Sequence, residues 1–306
     1  KSILLQLLVL AILTLPLLDV PALKMRGFRV ALDCVHGAGG VIMPQLLGAL
    51  GCEVMGIHTE AHGRFPRDPE PTAENLATLG EAVKEAGADV GFAVDPDVDR
   101  LSLVGEDGVP LGEDFTLALA AAVVLRRQPG IVVTNLSTSQ VVDDVARDLG
   151  GSVVRAPVGE INVARRMQRE KAVVGGEGNG GVILPQLHFT RDAPLAAALV
   201  LQHLLDEGGT LTGASGRWPR YVIKKEKLAF PRESLPAAYQ VLQDDMGAPE
   251  QDLSDGLRLG WPRDRLWLHV RPSGTEPVVR LIAEGSSESQ VNGVLQRTSK
   301  VLDGLA

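Results

Sequence analysis

One local grammar occurs twice in this chain, and it restricts the possible folds more than any other feature. Phe28-Arg-Val-Ala-Leu-Asp33 is a short apolar run ended by a turn-forming stretch, which predicts a strand. Gly37-Ala-Gly-Gly40 then opens a helical pattern through Leu46, Leu47 and Leu50. Gly51 closes it, and Cys52-Glu-Val-Met55 follows as a second strand. The pattern returns at Ile131-Val-Val-Thr134, Val141 to Leu149, Gly150-Gly151 and Ser152-Val-Val154. Repeated strand–helix–strand units imply α/β layers in which helices cover mixed or parallel sheets.

The intervening segments extend each layer. Asn75 to Ala86, closed by Gly87, predicts a helix leading into the strand Val90-Gly-Phe-Ala-Val94. Ile161 to Glu170 predicts a helix before the strand Ala172-Val-Val-Gly175, and Glu113 to Arg127 is a strongly apolar helix stopped by Pro129-Gly130. Past the small, polar stretch Asp206 to Gly216 the texture changes. Strands are expected at Tyr221 to Leu228, Leu257 to Leu259, Leu266 to Val270 and Val278 to Ala283, with helices at Leu235 to Met246 and Glu288 to Leu302. The expected architecture is therefore two consecutive α/β layered domains, residues 1–111 and 112–208, followed by a smaller α+β domain, 209–306.

With 45% apolar and 22% charged residues the composition is that of a globular domain, and a net charge of −8 excludes a nucleic-acid partner, which needs a basic face. An anionic ligand would have to be held by local positive charge. The two cysteines, Cys34 and Cys52, lie among apolar residues and read as reduced thiols. The apolar start, Ile3 to Leu18, is interrupted by Gln6, Thr14 and Pro16 and is short for a membrane span; a buried helix is expected rather than a targeting segment. The chain does not open with Met, so Lys1 reads as a truncation point, and a cytoplasmic location is expected.

Three loops carry chemistry. Asp95-Pro-Asp-Val-Asp-Arg100 joins two short apolar segments, and carboxylates at alternate positions project the same way on extended backbone. Three such charges repel one another unless a cation lies between them, and hard oxygen donors suit Mg²⁺, Mn²⁺ or Ca²⁺. Asp95, Asp97, Asp99 and Glu106 also fall at EF-hand ligand positions. The glycine that loop requires is Arg100 here and no helix precedes it, so that reading is set aside. Gly175-Gly-Glu-Gly-Asn-Gly-Gly181 lies between apolar strands; its glycines allow close backbone approach to a ligand, or simply a flexible hairpin. Arg271-Pro-Ser-Gly-Thr-Glu-Pro277, with Arg280 beyond it, combines a guanidinium fork, two hydroxyls and a glycine-backed run of amides, which suits a phosphate dianion. Among weaker candidates, Glu160 reads as a helix start, His188 as a packed or surface histidine, and Arg191-Asp192 as an ion pair near a helix start.

In this order the three loops resemble those of the α-D-phosphohexomutases, over essentially the whole chain. Gly176-Glu-Gly-Asn-Gly-Gly181 and Val158-Gly-Glu-Ile-Asn162 are similar to the branch called phosphoglucosamine mutase or phosphomannomutase. The resemblance implies that Asp95, Asp97 and Asp99 bind Mg²⁺, with Arg100 beside the transferring phosphoryl group. It implies that Glu177 and Asn179 hold hexose hydroxyls, and that Arg271, Ser273, Gly274, Thr275 and Arg280 hold the phosphate not being transferred. The implied reaction interconverts hexose 1-phosphate and hexose 6-phosphate through a phosphoserine and a bisphosphosugar, with a glucose 1,6-bisphosphate-type activator. Two departures stand out. No Thr-Ala-Ser-His-Asn-Pro-like loop with the donor serine is found, so the chain is expected to lack the N-terminal phosphoserine domain and to be inactive as it stands. Many members also carry a histidine where Gly181 stands here, leaving His188 as a substitute proton-transfer group. The alternative function is a phosphosugar-binding protein without catalysis.

Overall fold

The structure, a computed structural model, describes residues 3–273 and 278–305. It divides into two compact units: residues 1–155 with 159–219, and residues 156–158 with 220–306.

The first unit begins with α1 (Ile3–Leu13), α2 (Val20–Arg26), β1 (Arg29–Asp33), α3 (Gly39–Ala49) and β2 (Glu53–Ile57). It continues through α4 (Ala77–Ala86), β3 (Val90–Val94), β4 (Leu101–Val104), α5 (Asp114–Arg127), β5 (Ile131–Asn135) and α6 (Val141–Asp148). It closes with β6 (Ser152–Ala156), α7 (Glu160–Glu170), β7 (Val174–Glu177), β8 (Gly181–Ile183), α8 (Ala193–Glu207) and α9 (Leu211–Ser215). These strands make two four-stranded sheets of the same plan, β2-β1-β3-β4 and β6-β5-β7-β8. In the first, β1 runs parallel to β2 and β3 while β4 is antiparallel to β3; in the second, β5 and β7 are parallel and β8 is antiparallel to β7. The repeated grammar of the sequence is thus a repeated sheet.

Helix α5 is buried from Phe115 to Leu125, and α8 from Ala193 to Leu204. Both are apolar nearly all round, which leaves no face fit for water. They pack on each other, and α5 also packs on β4, α6, β7 and β8. On the first sheet, α4 buries Leu79 and Val83 with Ala31, Ala93 and Val104. The opening helix α1 differs from the expectation of a buried element: Ile12 is buried, but Leu4, Leu7 and Leu10 are exposed. Among the described residues no helix is long and apolar enough to cross a membrane. Cys34 and Cys52 are unpaired, and burial first, then the charges of Asp33 and Asp89 respectively, pushes each thiol up to about 12. Both are inert at neutral pH.

The second unit contains β9 (Val222–Ala229), α10 (Leu235–Met246), β10 (Glu250–Asp252), β11 (Leu257–Trp261), β12 (Leu266–Pro272), β13 (Val278–Gly285) and α11 (Glu288–Asp303). Its strands form one antiparallel sheet, β10-β11-β12-β13-β9. One face is covered by α10 and α11 through Leu242, Met246, Val291 and Leu295. The observed fold class is the expected one: two α/β sheets, then an antiparallel α+β sheet.

Candidate functional site

Both chemistry-bearing loops of the first unit hold the same place. Asp95–Arg100 joins the third strand of the first sheet to its antiparallel fourth, and Gly178–Gly180 does so in the second. Each lies beyond the carboxyl end of a parallel strand, where ligands gather in open α/β sheets.

The first loop is a turn rather than the extended strand expected from its alternating aspartates. Val98 takes φ 67°, unusual for a β-branched residue, and its amide bonds the Asp95 carbonyl at 3.3 Å. The Asp95 side chain is the organiser. It is fully buried; Oδ1 accepts from the amides of Asp99 and Arg100 at 3.0 and 3.1 Å, and Oδ2 accepts from Arg100 Nε at 2.7 Å. The turn gathers one oxygen each from Asp95, Asp97 and Asp99 within 4.8 Å of one another. Asp97 is exposed, and Asp99 Oδ1 is buried without a hydrogen bond, 3.4 Å from Arg100 Nε. An orphaned carboxylate oxygen beside two more carboxylates is a donor set that fits a hard divalent cation. Burial pushes the Asp95 carboxyl up, but bonds from Arg100 outweigh it and hold the group below the usual range. Burial and the Asp95 carboxylate push Asp99 up to about 7, against the pull of Arg191. Glu106 bonds the amide and hydroxyl of Thr212, so the set-aside EF-hand reading finds no fourth ligand there.

Arg100 is fixed on both sides. Besides Asp95 its guanidinium pairs with Glu70, from the long loop between β2 and α4. The loop after β1 also supports the turn: Ala38 N donates to Pro96 O at 2.9 Å, and a Cβ on Gly37 would meet Pro96 Cα at 2.6 Å. Only glycine allows that approach.

The second loop is pinned, not a flexible hairpin. Thr138 Oγ1 accepts from Gly178 N at 2.9 Å, and Thr134 Oγ1 bonds Gly176 O at 3.0 Å. Glu177 is buried, and its Oε1 accepts from Asn135 Nδ2 at 2.8 Å and from Gly159 N at 2.9 Å. Asn179 Oδ1 accepts from Gly181 N at 3.3 Å within the hairpin.

The two loops are joined. Leu101 N donates to Gly180 O at 3.1 Å, and Ala193 N to Val98 O at 3.1 Å. Arg191, read from the sequence as a partner of Asp192, turns elsewhere: it pairs with Asp99 Oδ2 and, at 3.1 Å, with Glu177 Oε2. Asp192 caps α8 at Leu195 N and bonds His188 Nε2 at 2.9 Å. That bond raises the pKa of His188 above its ordinary value. Glu160 starts α7, as expected, and also accepts from the amide of Arg191 at 2.8 Å and from the Thr190 hydroxyl. Nothing local marks Arg191 as a site residue; its partners are 92 and 14 positions away.

In the second unit Arg271 and Arg280 face each other across β12 and β13. Arg271 Nε lies 3.2 Å from Asp255 Oδ2, and Arg280 Nε is buried without a hydrogen bond. Ser273 is buried, with its amide donating to Val278 O at 2.8 Å. Gly274 and Thr275 lie outside the described residues.

Comparison with known proteins gives this arrangement a family. Three family models match in succession: phosphoglucomutase/phosphomannomutase α/β/α domain II over residues 10–108, α/β/α domain III over 112–221, and the C-terminal domain over 225–301. A probable phosphoglucosamine mutase of Methanopyrus kandleri is 37% identical over 278 residues, 90% of this chain and 61% of that protein. A phosphoglucomutase/phosphomannomutase of Thermococcus kodakarensis is 36% identical over 289 residues, 93% of this chain and 63% of that protein. A crystal structure of a phosphoglucomutase/phosphomannomutase family protein from Burkholderia thailandensis superimposes with a TM-score of 0.82 at 27% identity, covering 94% of this chain and 63% of that one. The chain thus spans about three-fifths of the length of the relatives it matches. It belongs to the phosphoglucomutase/phosphomannomutase family of α-D-phosphohexomutases, matching that family's domains II, III and IV.

Proposed function

We propose that this chain supplies the cation-binding, sugar-binding and phosphate-binding parts of a phosphohexomutase that interconverts hexose 1-phosphate and hexose 6-phosphate. The substrate would be glucosamine phosphate, or mannose or glucose phosphate. The observation that carries the reading is the joining of two loops at equivalent sheet ends: the acidic triad Asp95, Asp97 and Asp99, and the buried acceptor Glu177.

Asp95, Asp97 and Asp99 would hold Mg²⁺, whose charge offsets that of a phosphoryl group in transit. Arg100, fixed by Asp95 and Glu70, would face the same phosphoryl oxygens with a guanidinium that cannot swing away. Glu177 would accept from hexose hydroxyls, its orientation set by Asn135 and Gly159, with Asn179 beside it. Arg271, Ser273, Gly274, Thr275 and Arg280 would hold the phosphate not being transferred. A plain anion clamp suits a bisphosphosugar that must present either phosphate in turn. In such a mutase the phosphoryl group would pass through a phosphoserine, primed by a glucose 1,6-bisphosphate-type sugar.

The test is a substrate panel. The 306-residue chain should bind glucosamine, mannose or glucose phosphates in Mg²⁺ by calorimetry without turning them over, and the full-length protein should interconvert one of them. Failure to bind any hexose phosphate with Mg²⁺ present would overturn the reading. Binding with no turnover by the full-length protein would favour the alternative, a phosphosugar-binding protein without catalysis.

A further inference from the structure

The guanidinium of Arg191 occupies acceptors that the proposed function needs for two different ligands. Its Nη2 lies on Asp99 Oδ2, a carboxylate of the cation triad, and its Nη1 lies 3.1 Å from Glu177 Oε2. The other oxygen of Glu177 is already committed to Asn135 Nδ2 and Gly159 N, so Oε2 is the one open to a sugar hydroxyl. The other oxygen of Asp99 is the orphaned Oδ1. One side chain thus covers both Asp99 and Glu177. Arg191 Nε, buried, makes no hydrogen bond and stands 3.8 Å from Glu160 Oε2. The head is therefore held from the front by Asp99 and Glu177, and its rear nitrogen is unfilled.

The position of Arg191 depends on Gly181. A Cβ there would lie 2.3 Å from Arg191 Cδ and 2.9 Å from Cγ, so the stem runs through the space that a side chain at 181 would take. Displacement therefore has a route other than removing the charge: adding one methyl group behind the stem.

We propose that Arg191 is a positioning residue that acts as an internal counter-ion, occupying the cation and sugar acceptors together and making the binding of the two ligands cooperative. This rests on the proposed function above. A divalent cation at Asp99 Oδ1 and the guanidinium on Oδ2 share one carboxylate and repel each other, so each weakens the other's hold on it. A sugar hydroxyl must draw Arg191 off Glu177 Oε2, a cation loosens it at Asp99 by charge, and a guanidinium weakened at one of its two carboxylates is held less firmly by the other. The second ligand then meets an acceptor already half released. Linkage requires the effect to be reciprocal: the factor by which Mg²⁺ tightens hexose phosphate equals the factor by which hexose phosphate tightens Mg²⁺.

The experiment is calorimetric titration of the 306-residue chain with Mg²⁺ alone, with glucose 6-phosphate alone, and with each in the presence of the other. The variants are Arg191→Met, which keeps the unbranched stem and removes the charge, and Gly181→Ala, which pushes the stem aside and keeps the charge. The wild type is expected to show mutual tightening of roughly fivefold or more, at the low end of measured couplings. In Arg191→Met, Mg²⁺ alone should bind about fivefold tighter than in wild type, and the mutual tightening should fall to about onefold. Gly181→Ala should move both quantities in the same direction. A merely structural latch gives the opposite sign, because losing it would loosen the triad and weaken Mg²⁺. Weaker or unchanged Mg²⁺ binding in variants that keep the wild-type melting temperature overturns the proposal. Should Arg191→Met fail to fold, Arg191→Lys decides: an ammonium cannot span both carboxylates, so coupling must vanish, and its persistence overturns the proposal. If the wild type binds neither Mg²⁺ nor hexose phosphate, the underlying function falls and this inference with it; if it binds both without coupling, only the inference falls.

Discussion

Asp33 and Asn135 end the corresponding strands of the two sheets in the same way, each turning Oδ1 onto the amide two residues ahead at 2.8 Å. This is the side-chain turn that Asp and Asn favour at a strand end. The two residues then diverge. The Asp33 carboxylate takes Arg67 through Nε and Nη2, at 3.1 and 2.9 Å, and His58 Nδ1 at 3.1 Å. Asn135 spends its amide on Glu177. One change of functional group lets the first repeat anchor the loop that carries Arg67 and the second orient an acid.

Removing the Asp33 carboxylate should be costly, since Arg67 is largely buried and would be left unpaired. Asp33→Ala is expected to lose about 3 kcal/mol of unfolding free energy, from the stranded charge and the lost turn. Asp33→Asn keeps the turn acceptor and should lose less, about 1–2 kcal/mol. Urea unfolding of both variants checks the order; equal losses would mean that the ion pair rather than the turn matters.

At the equivalent position Asn135→Asp should act on the ligand. It replaces the amide donor to Glu177 with a carboxylate oxygen at the same place, so repulsion replaces a hydrogen bond. Hexose phosphate affinity is expected to fall tenfold or more, about 1.4 kcal/mol or greater, a larger change than that in Mg²⁺ affinity. Isothermal titration of each ligand separates the two.

The three aspartates should not behave alike. Asp97 is exposed and organises nothing, so Asp97→Asn should weaken Mg²⁺ at least tenfold and leave the melting temperature within about 1 °C of wild type. Asp95 is buried and holds two amides and Arg100. Asp95→Ala should lose Mg²⁺ binding and also about 3 kcal/mol of stability, because those donors and the arginine lose their acceptor. Thermal melts alongside titrations distinguish a ligand from a ligand that is also a scaffold.

The behaviour of these residues marks how far a sequence can be read. The strands, their bounding glycines and the acidic triad were legible because each signal is local: apolar run, turn residue, charge spacing. The alternation of Asp95, Asp97 and Asp99 pointed to convergence, but for the wrong geometric reason, since the turn at Val98 gathers them. Arg191 was not legible. Its neighbour Asp192 offered an adjacent opposite charge, and only the packing of α8 between the sheets reveals that Asp192 faces the helix while Arg191 faces two loops. The equivalence of Asp33 and Asn135 was hidden because it is an equivalence of backbone position, not of charge.

Two buried histidines should set the acid limit of stability. His269 is fully buried, with Nε2 bonded to the Asp255 carbonyl at 2.7 Å, and burial pulls its pKa down to about 4. Burial also pulls His203, in α8, down to about 4. A folded-state pKa below the unfolded value near 6.5 means that the unfolded chain binds more protons between the two. The contribution is fully present above about pH 6.5 and is lost as pH falls towards 4, by about 2 kcal/mol per histidine at pH 5. Urea midpoints should decline over this window in wild type and decline less in His269→Gln; parallel profiles would exclude His269 as a cause.

Arg271 and Arg280 are register partners on antiparallel strands, so their side chains leave the same face of the sheet. Like charges directly opposite cost stability, commonly some tenths of a kcal/mol to about 1 kcal/mol. Asp255 lies beside Arg271, 3.2 Å from its Nε, yet the Nε of Arg271 and that of Arg280 are both buried without a hydrogen bond. A pair left in mutual repulsion is explained if an anion completes it. Arg280→Met should therefore raise the melting temperature by a few degrees in chloride, because it removes both the repulsion and the stranded donor. The same substitution should abolish the extra stabilisation that wild type gains from inorganic phosphate at matched ionic strength, which follows the mass-action rise with ligand over Kd. Arg271→Met should lose the phosphate effect too, but without the gain in chloride, since it strands Asp255. A phosphate response that survives both substitutions would place the anion site elsewhere in the unit.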